Sequence, residues 1–469
     1  MNLYANNALV TIGLAVMVVA CGNNQPKTLA SLQYQAPPEP VISELPAAVP
    51  SISHEQVRQE YKELLTIFEE DHLKEQIERR IADVYMMEGV YKQNKGKQQA
   101  SYYSEATRAY KEILEKYPDS PANAEVLYQL SKAYDSEGRQ DQSLQMLDRL
   151  VNQHPDYKGI SEAQFRKGDI HFSNQNYKRA ESSYSAVIRT GNHKLLLNAH
   201  YMLGWSRYKQ RKYTASVNSF SYVLKQLLAD KDDFSTLSKG QKPLAEDTVN
   251  SISLGLDKLG GAEKITAFDA LADQAYSWMI YDNLGQYYFA KELYEDSASS
   301  YRLFVTQYNN SDRAPGLHTS LIETYKKGGF AKQALVEKAT YVDAYGLGST
   351  YANSRSGFTA PVANSLKTYM KELASHYHSE GQQLQKQIAQ FEKGKPKQAG
   401  WQQQREKLYA LSIAAFDQAA GFYQRYINTF PQDMRVDEIR FLKAETLFSS
   451  YQYPQAIIDY ELVAYQPVG

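Results

Sequence analysis

Residues 127–155 read LYQLSKAYDSEGRQDQSLQMLDRLVNQHP. Two small residues, Ser131 and Ser143, lie in two amphipathic segments of this stretch, and each is followed by a large side chain, Tyr134 or Leu147. Pro155 closes the stretch because proline cannot continue a helix. The stretch therefore predicts a helical hairpin whose two helices cross closely near their small residues.

The same pattern recurs along the first half of the chain. A small residue followed four positions later by an aromatic residue or Leu appears at successive steps of 37, 37 and 36 residues, in Ala106/Tyr110, Ser143/Leu147, Ala180/Tyr184 and Ser216/Phe220. Gly168 and Gly204 lie in the middle of predicted first helices, where Gly costs about 1 kcal/mol relative to Ala. That cost is tolerable if the missing side chain lets the partner helix approach. This period predicts an all-α fold, an α-solenoid of stacked helical hairpins with about eight units between residues 77 and 466.

These residues resemble the tetratricopeptide repeat family, whose unit has small residues at its eighth and twentieth positions, an aromatic residue near the twenty-fourth, and a terminal proline. The resemblance returns later in the chain, at Gly285, Ser297 and Tyr301, and near the end at Ala444 and Ala456. It implies stacked hairpins that bind proteins. We expect three interruptions of the array, at residues 89–101, 228–275 and 381–407.

The family resemblance also implies a binding groove on the first helices of the units. Ligands of this family contact chiefly the fifth, ninth and twelfth positions. Those positions carry, in three successive units, Tyr128, Lys132 and Asp135; Phe165, Asp169 and Phe172; and Tyr201, Trp205 and Tyr208. Such an aromatic ridge with isolated charges suits an extended or helical peptide with apolar anchors. The alternative is that these rings only pack neighbouring first helices together.

The N-terminus carries a second informative feature. Residues 8–20 form an uncharged run of 13 residues, too short for a stable membrane-spanning helix but suitable for the core of a signal peptide. It ends in Val18-Val19-Ala20-Cys21, which resembles the bacterial lipobox, and Cys21 is the only cysteine in the chain. The resemblance implies cleavage before Cys21 and lipidation of that residue. The alternative is an ordinary secretory signal.

The lipobox resemblance also implies where the protein resides. Residue 22 is Gly rather than Asp, and Asp there resembles a signal for retention at the inner membrane. We therefore expect a lipid anchor at the periplasmic face of the outer membrane. The predicted domain organisation begins with a lipoprotein signal peptide (1–20) and an acylated Cys with a disordered tether (21–52). An N-terminal repeat array (53–227), a helical insertion (228–275) and a C-terminal repeat array (276–469) follow.

Composition argues against several other functions. The 52 Lys and Arg residues balance 53 Asp and Glu residues, so we expect no nucleic-acid partner and membrane attachment through the lipid alone. We find no phosphate-binding Gly loop and no metalloprotease or hydrolase motif. His376 and His378 do not share a helix face and make a poor metal site. We predict no cofactor, no metal and no catalytic residue.

Three functions remain open from the sequence. The leading hypothesis is an outer-membrane-anchored scaffold that binds protein partners in a periplasmic assembly. The layout resembles the lipoprotein of the outer-membrane barrel-assembly machinery, although this chain is far longer. The second hypothesis is a lipoprotein of polysaccharide export or cell-wall coordination. The third is an enzyme within residues 228–275, which would require acidic and His side chains to converge there.

Overall fold

The computed structural model describes residues 52–95, 100–393 and 400–465. Within these ranges it contains nineteen α-helices, two 3₁₀ helices (Ala100–Tyr103 and Gly261–Ala267) and no β-strand. The predicted all-α fold is therefore confirmed. The predicted signal peptide, Cys21 and the tether up to residue 51 lie outside the described residues.

The described helices belong to two compact units, which divide between Gln210 and Arg211. In the first unit, α2 pairs with α3, α4 with α5, and α6 with α7, and each hairpin packs on the next. The helices of this unit are α1 (His54–Ile67), α2 (Asp71–Asn94), α3 (Ser104–Lys116), α4 (Asn123–Ser136), α5 (Gln140–Gln153), α6 (Ile160–Ser173), α7 (Tyr177–Thr190) and α8 (His193–Lys209).

The second unit continues the same architecture. Its helices are α9 (Tyr213–Leu228), α10 (Gln241–Asp257), α11 (Ser277–Ala290), α12 (Tyr294–Gln307), α13 (Ala314–Lys327), α14 (Ala331–Tyr345), α15 (Thr350–Asn353), α16 (Ala360–Lys393), α17 (Trp401–Thr429), α18 (Val436–Ser449) and α19 (Tyr453–Tyr465). Four hairpins, α11/α12, α13/α14, α16/α17 and α18/α19, stack in chain order. Each unit is thus the predicted stack of helical hairpins.

Small residues hold the two helices of a hairpin close together, as predicted. A Cβ atom at Gly168 of α6 would lie 2.6 Å from Cε1 of Tyr184 on α7. In the equivalent hairpin of the second unit, a Cβ atom at Gly285 would lie 2.5 Å from Cζ of Tyr301. Real Cβ atoms do not approach other atoms so closely, and both rings are almost fully buried. Glycine is therefore required for the observed crossing of these helices.

Serine replaces the commoner alanine at several crossing positions, and its hydroxyl is satisfied locally. Ser131 and Ser143 are completely buried. The Ser143 hydroxyl donates a hydrogen bond of 2.8 Å to the Ser131 carbonyl on the facing helix, and Ser131 bonds to the Tyr128 carbonyl. Because a buried hydroxyl without a partner destabilises a fold, these bonds explain why Ser is accepted in the core.

The turns inside the hairpins share one backbone conformation that the sequence had not revealed. Their middle residue has a positive φ of 60° to 80°, at Gly138, Gln175, Glu292, Gly329 and Tyr451. The next residue then donates a backbone hydrogen bond five residues back, as from Asn176 to His171 and from Leu293 to Tyr288. This is the Schellman end of a helix. It reverses the chain in three residues and recurs at the period of the repeat.

Two of the three expected interruptions are built into the helical stack. Within residues 228–275, α10 packs on both α9 and α11, and a Cβ atom at Gly255 would lie 2.5 Å from Val217. The described parts of residues 381–407 belong largely to α16 and α17. There the rings of Phe391 and Trp401 stack at 5.8 Å. Those residues therefore lengthen one hairpin of the array.

Candidate protein-binding groove

A groove of about 360 Å³ lies on the first helices of the N-terminal unit, between α4, α6 and the start of α8. We call it groove 1. It is lined by Tyr128, Asp135, Gln140, Glu162, Phe165, Arg166, Asp169, Ile170, Ser173 and Leu195. Four of these residues, Tyr128, Asp135, Phe165 and Asp169, are among the nine predicted from the repeat register. Part of the lining of groove 1 therefore coincides with the predicted positions.

The remaining predicted residues lie beside the groove or within the core. Lys132 bonds to Gln129 at 3.2 Å and lies 5.8 Å from the Tyr128 ring. Phe172, Tyr201 and Trp205 are buried, with 6%, 8% and 5% of their surface exposed. Tyr208 is partly exposed and its ring meets that of Trp205 at 5.5 Å.

Burial gives the three core rings a packing position, which was the alternative reading of the aromatic ridge. Phe165 belongs both to the lining of groove 1 and to the core, because only 2% of its surface is exposed. The aromatic surface open to a ligand is consequently narrower than the sequence had indicated. Whether these residues bind a ligand stays a prediction.

Asp169 lines groove 1, and the pKa of its carboxyl group is raised above the ordinary value. Its Oδ1 accepts a hydrogen bond of 2.7 Å from the hydroxyl of Tyr184, the ring that fills the space beside Gly168. Burial raises the pKa of Asp169 to about 7, although the Tyr184 bond and the Arg166 charge act in the opposite direction. Tyr184 therefore fills the close crossing of α6 and α7 and also donates a hydrogen bond to Asp169 of groove 1.

Arg166 is the one basic side chain among the residues that line groove 1. Its Nη1 donates a hydrogen bond of 2.7 Å to Oδ2 of Asp135, so the pair joins α6 to α4. The Nε atom of Arg166 is buried and has no hydrogen-bond partner in the protein. The guanidinium is therefore neutralised by Asp135, yet its buried Nε donor is left unused.

Glu162 presents the complementary case, an unused acceptor. Its Oε1 has a long contact of 3.5 Å with Nδ2 of Asn192, and its Oε2 is buried without any hydrogen-bond partner in the protein. Nearby, the hydroxyl of Tyr157 is already engaged, because it donates to Glu125 at 2.7 Å. Among the described residues Glu162 forms no ion pair.

Burial also perturbs two groups at the rim of groove 1. It raises the pKa of Tyr128. It lowers the pKa of Lys132, and the charge of Arg166 lowers it further. Both shifts reflect a low-dielectric environment, in which a charged ligand would interact more strongly than in bulk water.

A second concavity of about 340 Å³ lies in the C-terminal unit, on α16, α17 and α18; we call it groove 2. Its lining is Lys371, Ser375, His378, Ser379, Gln382, Tyr423, Arg435, Glu438, Ile439 and Leu442. His378 contacts Thr446 through Nδ1 and Gln382 through Nε2, both at 3.1 Å, and burial lowers its pKa. In contrast to groove 1, groove 2 has two basic residues and one acidic residue.

Sequence reasoning missed Glu162 and Arg166 because the family register assigns contacts only to three positions of each first helix. A signal was nevertheless present. Glu162, Arg166 and Asp169 are four and three residues apart, so they form one charged stripe on a helix. A charged stripe on the predicted ligand side of α6 could have identified them.

The described residues also bear on metal binding and on membrane insertion. No group of three or more His, Cys, Asp or Glu side chains in that part of the chain could hold a metal ion. In residues 228–275, Asp232 and Asp233 both contact Arg313. Separately, none of the helices described is both long and apolar enough to cross a membrane.

Comparison with known proteins gives a match for part of the chain. Residues 99–164, which end near the start of α6, match the tetratricopeptide repeat family. No curated protein matches the sequence.

Among solved structures, the chain is similar to one described as Naa15/Naa10 bound to HypK-THB, at 12% identity and a TM-score of 0.34. The match covers 87% of this chain but 60% of that one. It is also similar to the apo form of RapI, at 13% identity and a TM-score of 0.31, covering 74% of this chain and 99% of RapI.

Proposed function

We propose that this chain is a lipid-anchored scaffold of the bacterial envelope, which holds a segment of a partner protein in groove 1. The tetratricopeptide repeats support a role in protein binding. The carrying observation is the agreement between register and geometry, since four residues predicted from the repeat positions line one cavity. A groove of this size is large enough for one or two anchoring side chains rather than for a whole domain.

The proposed location rests on the N-terminal sequence. The apolar run 8–20 followed by Cys21 supports lipidation, and Gly22 supports transfer to the outer membrane. A protein held there by lipid chains would face the periplasm, and residues 22–52 contain six prolines, which suit a tether. Partners would accordingly be envelope proteins.

Crosslinking and affinity purification of the lipidated protein from its native envelope test this function. Tyr128→Ala removes a partly exposed ring of groove 1, and Tyr91→Ala removes an exposed ring on α2 as a matched control. We expect Tyr128→Ala to lose the captured partner and Tyr91→Ala to retain it, with far-UV circular dichroism showing that both variants are folded. Identical capture by both variants would contradict a role for groove 1.

A further inference from the structure

Two residues that line groove 1 each carry a buried polar atom that the protein itself leaves unpaired, and the two atoms differ in character. Oε2 of Glu162 can only accept a hydrogen bond, and Nε of Arg166 can only donate one. Buried polar groups are ordinarily satisfied, so each exception calls for an explanation. A ligand that offers both a donor and an acceptor would satisfy the two atoms together.

The charges of the lining favour a cationic donor. Three carboxylates, those of Asp135, Glu162 and Asp169, face a single guanidinium, that of Arg166. Asp135 already neutralises Arg166 through a contact of 2.7 Å. Glu162 is therefore left without an ion-pair partner among the described residues. An acidic ligand would meet uncompensated negative charge in a partly desolvated groove.

The apolar walls of groove 1 suit the stem of a long basic side chain. Tyr128 and Phe165 line the groove, and Leu195 of α8 closes one side. Lys and Arg side chains bury their methylene groups along apolar surface while the charged end reaches a polar partner. An aromatic face adds a cation–π attraction for the same charge.

We propose that groove 1 selects a Lys or Arg side chain from an extended segment of the partner. The cationic group binds Oε2 of Glu162, and a main-chain carbonyl of the segment accepts a hydrogen bond from Nε of Arg166. This inference rests on the proposed function, because it names the chemistry of the segment that groove 1 would hold. It excludes an acidic segment as the preferred ligand.

Selection from a library of random twelve-residue peptides displayed on phage, with the purified full chain as the target, tests the proposal. Binding of the selected peptides is then measured by fluorescence anisotropy. We expect selected peptides to share a Lys or Arg beside an apolar residue. Replacing that residue by norleucine, which keeps the stem and removes the charge, should weaken binding at least tenfold.

Two variants assign the effect to groove 1. Glu162→Gln should weaken binding of the basic peptide at least tenfold. Binding of the norleucine peptide should stay almost unchanged, because that peptide already lacks the charge that interacts with Glu162. Glu438→Gln removes the one acidic residue that lines groove 2, and it should bind like the wild type. Circular dichroism and the thermal midpoint report whether each variant is folded. If Glu162→Gln is not, Arg166→Lys replaces it, because Lys keeps a positive charge for Asp135 and removes the Nε donor, and it should weaken binding of the basic and the norleucine peptides alike.

The outcomes separate this inference from the proposed function. Peptides that bind wild type and lose less than twofold on norleucine substitution overturn the selection for a basic side chain but leave groove binding intact. Selection of peptides rich in Asp or Glu overturns it as well. If no peptide is enriched over an uncoated surface, both the inference and the proposed function fail.

Discussion

Replacing Gly285 by Ala tests the close crossing that defines the repeat. The new Cβ atom would lie 2.5 Å from Cζ of Tyr301 and 2.8 Å from two further ring atoms. Tyr301 is 3% exposed, so its ring has little room to move. Two effects compete, since Ala stabilises a helix by up to about 1 kcal/mol over Gly, whereas overpacking a core costs about 1–3 kcal/mol. Three atoms closer than 3 Å place this clash in the upper half of that range, and we expect a net loss of about 1–2 kcal/mol.

Gly421→Ala is the matched control in the same unit. Gly421 lies in the middle of α17, and a Cβ atom there would meet nothing within 4 Å. Helix propensity then acts alone and should stabilise the unit by about 0.5–1 kcal/mol. Urea unfolding followed by far-UV circular dichroism should shift to lower urea for Gly285→Ala and to higher urea for Gly421→Ala.

A double variant identifies the clash as the cause. In a Tyr301→Leu background the ring atoms are gone, so the further change Gly285→Ala should no longer destabilise the protein. If Gly285→Ala raises the urea midpoint as much as Gly421→Ala does, the packing account of the repeat is refuted.

Three further predictions concern the turn, the groove and the anchor. Glu292→Gly should stabilise the second unit by about 1 kcal/mol, since Glu292 holds a φ of 60° in an exposed turn; an unchanged or lower unfolding midpoint would contradict this. Burial raises the pKa of Asp169, so its favourable protonation is fully present below the ordinary carboxyl pKa and is lost as pH rises through about 7. Asp169→Asn keeps an acceptor for Tyr184 and does not titrate. Its thermal midpoint should therefore rise relative to that of the wild type as the pH is raised from about 5 to about 8. A difference in midpoint that stays constant over this range would argue against the raised pKa. Cys21→Ser should abolish labelling by a radioactive fatty acid and accumulate as precursor, whereas equal labelling would exclude lipidation at Cys21.

Most of the fold could be predicted from the sequence because small and aromatic residues recur at the positions where the two helices of each hairpin cross. Gly168 and Tyr184 show this directly, since the spacing implied a close contact and the structure contains it. The hairpin turns were not predicted because Gln175 and Glu292 occupy a left-handed conformation that sequence patterns assign to Gly or Asn. Only the surrounding helices force these residues into it.

Part of the lining of groove 1 coincides with the predicted positions, whereas its chemistry was not predicted. Tyr128 and Asp135 followed from the register of one helix. The unpaired atoms of Glu162 and Arg166 did not, because they depend on which side chains the neighbouring helices bring within reach. Burial likewise converted most of the predicted aromatic ridge into core, and exposure of a ring depends on the next hairpin rather than on its own sequence.

Photo-crosslinking from position 128 in living cells tests the central claim most directly, namely that groove 1 receives a partner protein. A photoreactive amino acid replaces Tyr128, which lines the groove, or Tyr91, which is 49% exposed on α2 outside it. The account predicts a discrete crosslinked species from position 128 and none from position 91. No crosslinked species from position 128, or the same species from both positions, would contradict it.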